Sequence, residues 1–292
     1  MSKDLYTKYK YIWEQQNNTL DSLYTFIKQY NVDMDDYGNI TVTNTDKKEV
    51  PAFCCHLDTV HGKAPAPELL RGDTILTSFN GGGIGGDDKC GIIACLELLE
   101  NVPCKCIFFR EEERGCLGSR KYDATTLKDN LYLIEIDRRN AGDLIFKASG
   151  VALCDKQFKK EVKKYFPHGK DETGLLTDVV VLGDAKINMM NLSSGYYHPH
   201  TSNEYVVLTE LQLNIQCLIA MAKEYKEQRK YERTKAIIST GLDGYTGENS
   251  SLFNETYGGS YYDPRTWEER ETEYWDEKAT EAWLKKNGWK KD

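Results

Sequence analysis

Apolar residues recur along this chain in two rhythms. Val50 to Cys55 is a continuous apolar run that predicts a strand, Cys104 to Phe109 and Leu131 to Ile136 predict buried strands, and Ile187 to Leu192 a further strand. Asp73 to Ser78 is a shorter strand, and Ile40-Thr41-Val42-Thr43 alternates after the turn residues Asp35-Asp36-Tyr37-Gly38-Asn39. Helical spacing appears between the strands. Gly91 to Leu99 carries Ile92, Ile93, Leu96 and Leu99 on this period, Gly118 to Leu127 reads as a helix, Asp155 to Phe166 as a basic amphipathic helix, and Leu208 to Tyr225 as a long closing helix. Near the amino terminus, Asp4 to Tyr30 predicts two helices broken at Asn17-Asn18, with Thr19 or Asp21 able to cap the second.

Strands alternating with helices predict an α/β fold, a three-layer α/β/α sandwich around a mostly parallel mixed sheet. In such sheets ligands bind beyond the carboxyl ends of the strands. The compact domain is expected to span 1–229. From 230 to 292 the composition changes: Gly241 to Pro264 is rich in Gly, Tyr, Asn and Ser, Glu268 to Asp276 is acidic with Trp267 and Trp275 in or beside it, and Glu277 to Asn287 suits one short helix. This stretch is expected to be a polar acidic tail, partly flexible.

Five acidic or histidine-bearing segments follow in order: His56-Leu57-Asp58-Thr59-Val60, Gly86-Asp87-Asp88-Lys89, Glu111-Glu112-Glu113-Arg114-Gly115, Ile136-Asp137-Arg138 and Tyr197-His198-Pro199-His200-Thr201. Most follow buried strands, where an unpaired charge is costly. A pair of divalent metal ions would explain them. Mixed nitrogen and oxygen ligands suit zinc, with cobalt or manganese as substitutes, and two such ions need a bridging carboxylate to activate a water for attack on a carbonyl. Asp58, two residues past His56 in an extended segment, lies on the same side and fits a carboxylate holding the imidazole. Blander readings stand beside these: a structural histidine at 56, a solvated charge run at 111–113, and Arg138 and Arg139 as salt-bridge partners. His198 and His200 flank Pro199; in an extended segment both point one way, and both compete to be the last ligand.

In type, order and spacing the segments HLDTV, GGDDKCG, EEERG, a strand ending in Asp137 and GYYHPHTSNE resemble those of the co-catalytic zinc exopeptidases. That group includes tripeptide aminopeptidase, glutamate carboxypeptidases, acetylornithine deacetylase and succinyl-diaminopimelate desuccinylase. The resemblance covers about residues 20–228. It implies a phosphorylase/hydrolase-like catalytic domain in which His56 and Asp137 hold one metal, Glu113 and His200 the other, and Asp87 bridges. His200 is preferred to His198 because its spacing to Glu204 matches the family's pattern. Glu112 would be the general base and Asp58 a catalytic carboxylate holding the His56 imidazole; Arg138 and Tyr197 are candidate substrate contacts, and His198 is left to face substrate or solvent. The resemblance also implies a cis Asp87–Asp88 peptide and places Thr177-Asp178 close behind the site. Many members insert a lid between the strand-end Asp and the final His. Here the interval from 137 to 200 is taken up by a strand, a helix and a strand, which implies a lidless form. The implied activity is hydrolysis of a terminal amide bond of a peptide. Cleavage of an N-acyl amino acid by the same site is the alternative, and a non-catalytic binding protein on this scaffold is the reading from another class.

Composition narrows the setting. A formal net charge of −8 and a pI near 5.3 argue against a nucleic-acid partner. No apolar run approaches the roughly 20 residues that span a bilayer, and the first residues lack the layout of a secretory signal. Nine cysteines without a CxxC pair, five of them (Cys54, Cys55, Cys90, Cys95, Cys217) in apolar stretches, suggest reduced thiols and a cytoplasmic protein. Cys104 and Cys106 share one face of a strand.

Overall fold

In the computed structural model of the chain, residues 2–16 and 20–233 are described. The chain begins with α1 (Ser2–Lys8), α2 (Lys10–Trp13) and α3 (Leu20–Ile27), followed by β1 (Asn31–Met34), β2 (Ile40–Thr43), β3 (Ala52–His56), β4 (Pro67–Leu70) and β5 (Ile75–Ser78). Next come α4 (Gly86–Asn101), β6 (Lys105–Phe109), a 3-10 turn at Glu112–Arg114, α5 (Leu117–Lys121) and a second 3-10 turn at Ala124–Leu127. Then follow β7 (Leu133–Arg138), β8 (Asp143–Ala148), β9 (Val151–Ala152), α6 (Lys156–Tyr165), β10 (Lys170–Gly174) and α7 (Asp178–Val181). The last elements are β11 (Met189–Ser193), β12 (Tyr196–Tyr197), β13 (Tyr205–Val207) and α8 (Leu208–Glu224).

The main sheet runs β1-β2-β6-β3-β7-β11-β8-β10, with β9 on β8. Its centre, β6-β3-β7-β11, is parallel, and antiparallel pairings lie toward the edges. Both faces of that centre are covered, as the continuous apolar runs require. Ala52, Cys54, Ile107, Phe109 and Leu133 join Leu127, Val179 and Leu182 in one core layer. Phe53, Cys55, Cys106, Phe108, Ile134 and Ile136 point the other way and are also buried. On that side α4 packs over β3 and β7, and α8 packs over α4. This is the expected three-layer α/β/α arrangement. A smaller antiparallel sheet, β12-β13-β5-β4, stands apart from the main sheet.

Several local expectations change. The predicted helix from Gly118 to Leu127 is two pieces. Asp123 accepts hydrogen bonds from Thr125 N (3.0 Å) and Thr125 Oγ1 (2.6 Å), offering the backbone an alternative to the helix ladder. The edge strands β1 and β10 are exposed almost throughout, with no alternation in burial. The chain also stays on the body past 229: Lys230 bridges to Ile187, and Arg233 donates to Val179 O and Val180 O. The predicted break and caps near residues 17–21 rest on side chains outside the described residues, as does the tail from 234 on. All nine cysteines are free and buried, and Cys104 and Cys106 place their sulfurs 4.0 Å apart. Among the described residues no helix is long and apolar enough to cross a membrane.

Gly91 marks the closest approach of α4 to the sheet. A Cβ there would collide with the Ile136 carbonyl and the Asp88 carboxylate. Gly91→Ala is therefore expected to destabilise the protein by about 1–3 kcal/mol, as overpacking does, measured by urea denaturation; an unchanged midpoint would refute this packing account.

Candidate active site

The sheet delivers acids and imidazoles to one edge. His56 is the last residue of β3, Asp137 lies near the end of the adjacent β7, and Glu112 and Glu113 occupy the turn after β6. Asp87 opens α4 with non-helical angles (φ −83°, ψ 96°), and its peptide bond to Asp88 is cis. His200 comes from the loop between β12 and β13.

Two groups of side chains there could each hold a metal ion: His56, Asp87 and Asp137, and Asp87, Glu113 and His200. Asp87 belongs to both. Its Oδ1 lies 3.0 Å from His56 Nε2 and its Oδ2 3.2 Å from His200 Nε2. His200 Nε2 is also 3.0 Å from Glu113 Oε1, and His56 Nε2 is 3.8 Å from Asp137 Oδ1. Glu113 Oε1 is buried without a well-aligned hydrogen bond despite the nearby imidazole, so its lone pairs are short of a partner. Carboxylate oxygens and imidazole nitrogens with one shared carboxylate are a donor set that suits two zinc-class ions.

Electrostatics point the same way. Burial opposes charge on His56, yet the carboxylates of Asp137, Asp58 and Asp87 outweigh it and raise the imidazole well above its ordinary pKa. His200 is likewise raised to about 11, its burial outweighed by hydrogen bonds to Asp87 and Glu113. Burial, reinforced by Asp137, raises Glu112 and Asp88, while burial and Asp87 raise Asp137. Asp87 goes down despite its burial, because it sits between the two histidines. The cluster as a whole favours bound positive charge.

The surrounding contacts fix the acids in place. Asp58 Oδ1 is 3.5 Å from His56 Nδ1, a long contact, and Asp58 also accepts from Glu112 N (3.1 Å) and Glu113 N (3.2 Å). The expected role of Asp58 toward the imidazole is thus joined by a second one, holding the turn that carries the two glutamates. Glu111 is turned aside: its carboxylate takes hydrogen bonds from Tyr37 OH and Arg114 Nη1. Asn39 braces the same turn, accepting from Arg110 N (3.1 Å) and donating to Gly118 O (2.9 Å). Behind it, Asp178 accepts from Ser119 Oγ (2.5 Å), and Thr177 Oγ1 and Asp178 N both donate to buried Glu135.

The expected substrate contacts fall differently. Arg138 Nε pairs with Asp143 at 3.1 Å. Tyr197 stacks on Tyr205 (5.0 Å between centroids) and donates to Glu210. It is Tyr196, buried, whose hydroxyl reaches Asp137 Oδ1 at 2.9 Å. The segment around Pro199 is not extended as predicted: His198 (φ 52°) and His200 (φ 63°) both adopt left-handed backbone in a turn. His200 meets the acids, whereas His198 sets its ring edge-on to Tyr205, 5.5 Å between centroids. Asn191, which spans Asp137 N and Asp137 O, and Tyr196 were missed by sequence reasoning. The repeated tyrosine beside the histidine motif was the available signal for Tyr196.

No protein-family model and no curated protein matches the chain. Solved structures do. Aminopeptidase PepT from Bacillus cereus superposes with a TM-score of 0.64 at 15% identity, covering 77% of this chain and 98% of its own. A tripeptidase from Staphylococcus aureus gives 0.62 at 14% identity, with 76% and 98% covered. The chain has the fold of these peptidases. An aminopeptidase from the archaeon Desulfurococcus kamchatkensis gives 0.61 at 13% identity, with 76% and 95% covered.

The geometry separates the two histidines. His200→Ala is expected to lower metal content from about two zinc-class ions per chain and abolish activity, whereas His198→Ala should keep both ions and alter substrate affinity. Elemental analysis of the two purified variants checks this, and metal loss from the His198 variant alone would reverse the assignment.

Proposed function

We propose that this chain is a metal-dependent hydrolase that cleaves a terminal amide bond of a peptide, acting as an exopeptidase of the aminopeptidase type. The observation that carries the reading is Asp87, whose two oxygens each face a different histidine within two ligand groups. The peptidase fold supports it. His56, Asp87 and Asp137 would hold one ion and Asp87, Glu113 and His200 the other. Zinc is the best fit, with cobalt or manganese as substitutes. Bound there, the pair would supply Lewis acidity that lowers the pKa of a shared water and polarises the scissile carbonyl.

Glu112 is the proton carrier in this reading. Its carboxylate is adjacent in sequence to Glu113, its backbone is held by Asp58, and burial, reinforced by Asp137, raises its carboxyl above the ordinary value. It takes the proton of the attacking water and returns it to the departing amine. Cys116 Sγ donates to Glu112 Oε1 at 3.4 Å, leaving the other oxygen for that exchange. Tyr196 and Asn191 hold Asp137 in position. We further propose that no lid is required: β8, β10 and β11, between Asp137 and His200, all belong to the main sheet. The nine free, buried thiols favour a reducing, cytoplasmic setting.

The test is metal analysis of the full chain, followed by assay on free dipeptides and tripeptides, amino-terminally blocked peptides and N-acyl amino acids. Expected are about two zinc-class ions, loss of activity on chelation, restoration by Zn, Co or Mn, and cleavage of the unblocked peptides. A metal-supplemented protein that binds no ion would overturn the reading. Turnover confined to N-acyl amino acids would replace it with a deacylase.

Glu112→Gln keeps shape and removes basicity. It should cut kcat by at least roughly 10²-fold with both ions retained; near-normal turnover would move the proton carrier elsewhere.

A further inference from the structure

Glu204 has no part in the two ligand groups, yet it is fully buried beside them. Its Oε2 accepts from Gly85 N (2.7 Å) and lies 2.7 Å from His61 Nε2, and its Oε1 accepts from Asp87 N (3.0 Å). These contacts join three loops. His61 lies five residues after His56, Gly85 and Asp87 form the entry to α4, and Glu204 itself closes the turn that presents His200. On the opposite side of the α4 entry, buried Lys89 donates to Ile84 O (2.8 Å), Trp13 O (3.0 Å) and Gln15 O (2.6 Å). The backbone from Ile84 to Asp87 is therefore gripped by a carboxyl group at its N–H groups and by the Lys89 amine at a carbonyl.

The packing leaves this segment no alternative path. Gly85 has a left-handed φ of 67°, and a Cβ at Gly86 would collide with Val206 and Tyr196. A carboxylate taking two backbone N–H groups makes charge-assisted bonds, stronger and shorter than neutral ones. Rotating the Asp87 peptide away from Glu204 would leave a buried carboxylate short of donors, which is costly.

We propose that Glu204, with His61, is a positioning residue for the shared metal ligand. It sets the Asp87 backbone so that each carboxylate oxygen faces a different ion, and it couples the Asp87 loop to the His56 and His200 loops. This rests on the dinuclear reading above and deepens it. Glu204 acts through Asp87 and touches neither substrate nor ions.

The experiment is a chelator competition with Zn2+ on metal-free wild type, Glu204→Gln and His61→Ala, alongside circular dichroism and thermal melting of each. Outer partners of metal ligands typically govern affinity by 10- to 100-fold. Glu204→Gln keeps the size of the side chain but sets an NH2 group against a backbone N–H. It should weaken zinc binding by about tenfold or more while the folded signal at the assay temperature is retained. It should also lower kcat with KM little changed. His61→Ala, which leaves the backbone contacts of Glu204 intact, should weaken zinc by a smaller factor, about threefold, and it serves as the readout if Glu204→Gln fails to fold. A purely structural role would lower the melting temperature and leave zinc affinity unchanged. Wild-type zinc affinity in the folded Glu204→Gln chain, or in His61→Ala where only that variant folds, overturns the proposal and leaves the dinuclear reading standing. A wild-type chain that binds no zinc overturns both.

Discussion

Everything at the carboxyl edge of the sheet is organised by the mutual repulsion of carboxylates that cannot escape to water. Asp87, Asp88, Asp137, Glu112 and Glu113 crowd around two imidazoles; Asp87, Asp88 and His56 are buried, and Asp137, Glu112 and Glu113 are half-buried. Like charges at such distances raise one another's pKa, and the shifts at Asp137, Asp88 and Glu112 follow that rule. Asp87 escapes it because it alone has an imidazole on each oxygen. A cluster of this kind is stable only with compensating positive charge. The fold therefore concentrates negative potential where a pair of cations would be most strongly held, and it accepts the cost at an edge already surrounded by a large apolar core.

The scaffold reaches the site mainly through backbone contacts. Asp58 addresses Glu112 N and Glu113 N, Asn39 addresses Arg110 N and Gly118 O, Asn191 addresses both sides of the Asp137 peptide, and Glu204 addresses Gly85 N and Asp87 N. Each brace comes from a segment remote in sequence from the one it holds. The acids are thus aimed mainly by fixing the turns that carry them, with one direct side-chain contact each to Asp137 Oδ1 from Tyr196 and to Glu112 Oε1 from Cys116. That division is what preorganisation demands, since an oxygen spent on a structural hydrogen bond is weakened as a ligand or base.

The same division explains what the sequence revealed. The parallel centre of the sheet was legible because both its faces are covered, so β3 lies in a continuous apolar run and β6, β7 and β11 are rich in apolar residues. The strands β1 and β10 were not, because an exposed edge strand has no buried face to impose alternation. The ligand set could be proposed because its chemistry resides in residue type: imidazoles and carboxylates at the ends of apolar runs. The braces were hidden because Asn191 and Tyr196 are neutral and their partners lie more than fifty positions away. The His198–His200 segment was misread as extended. Local preference before a proline favours that geometry, but the turn closed by the Thr201 O to Glu204 N hydrogen bond (3.2 Å) accompanies left-handed backbone at both histidines.

Adding Asp58 and Glu204 to an edge already overloaded with negative charge looks self-defeating until their donors are counted in. Each accepts from two backbone N–H groups, and each has an imidazole nearby, His56 at 3.5 Å for Asp58 and His61 at 2.7 Å for Glu204. Their charges are thereby compensated locally. The two braces also differ in reach. Asp58 fixes the turn that bears the proposed base and one proposed ligand, whereas Glu204 contacts the backbone of Asp87, the residue common to both groups. An error of a few tenths of an ångström in the Glu112 turn would displace one ligand, while the same error at Asp87 would displace both groups at once. The more deeply buried and more fully hydrogen-bonded of the two carboxylates stands where misplacement would do the greater damage.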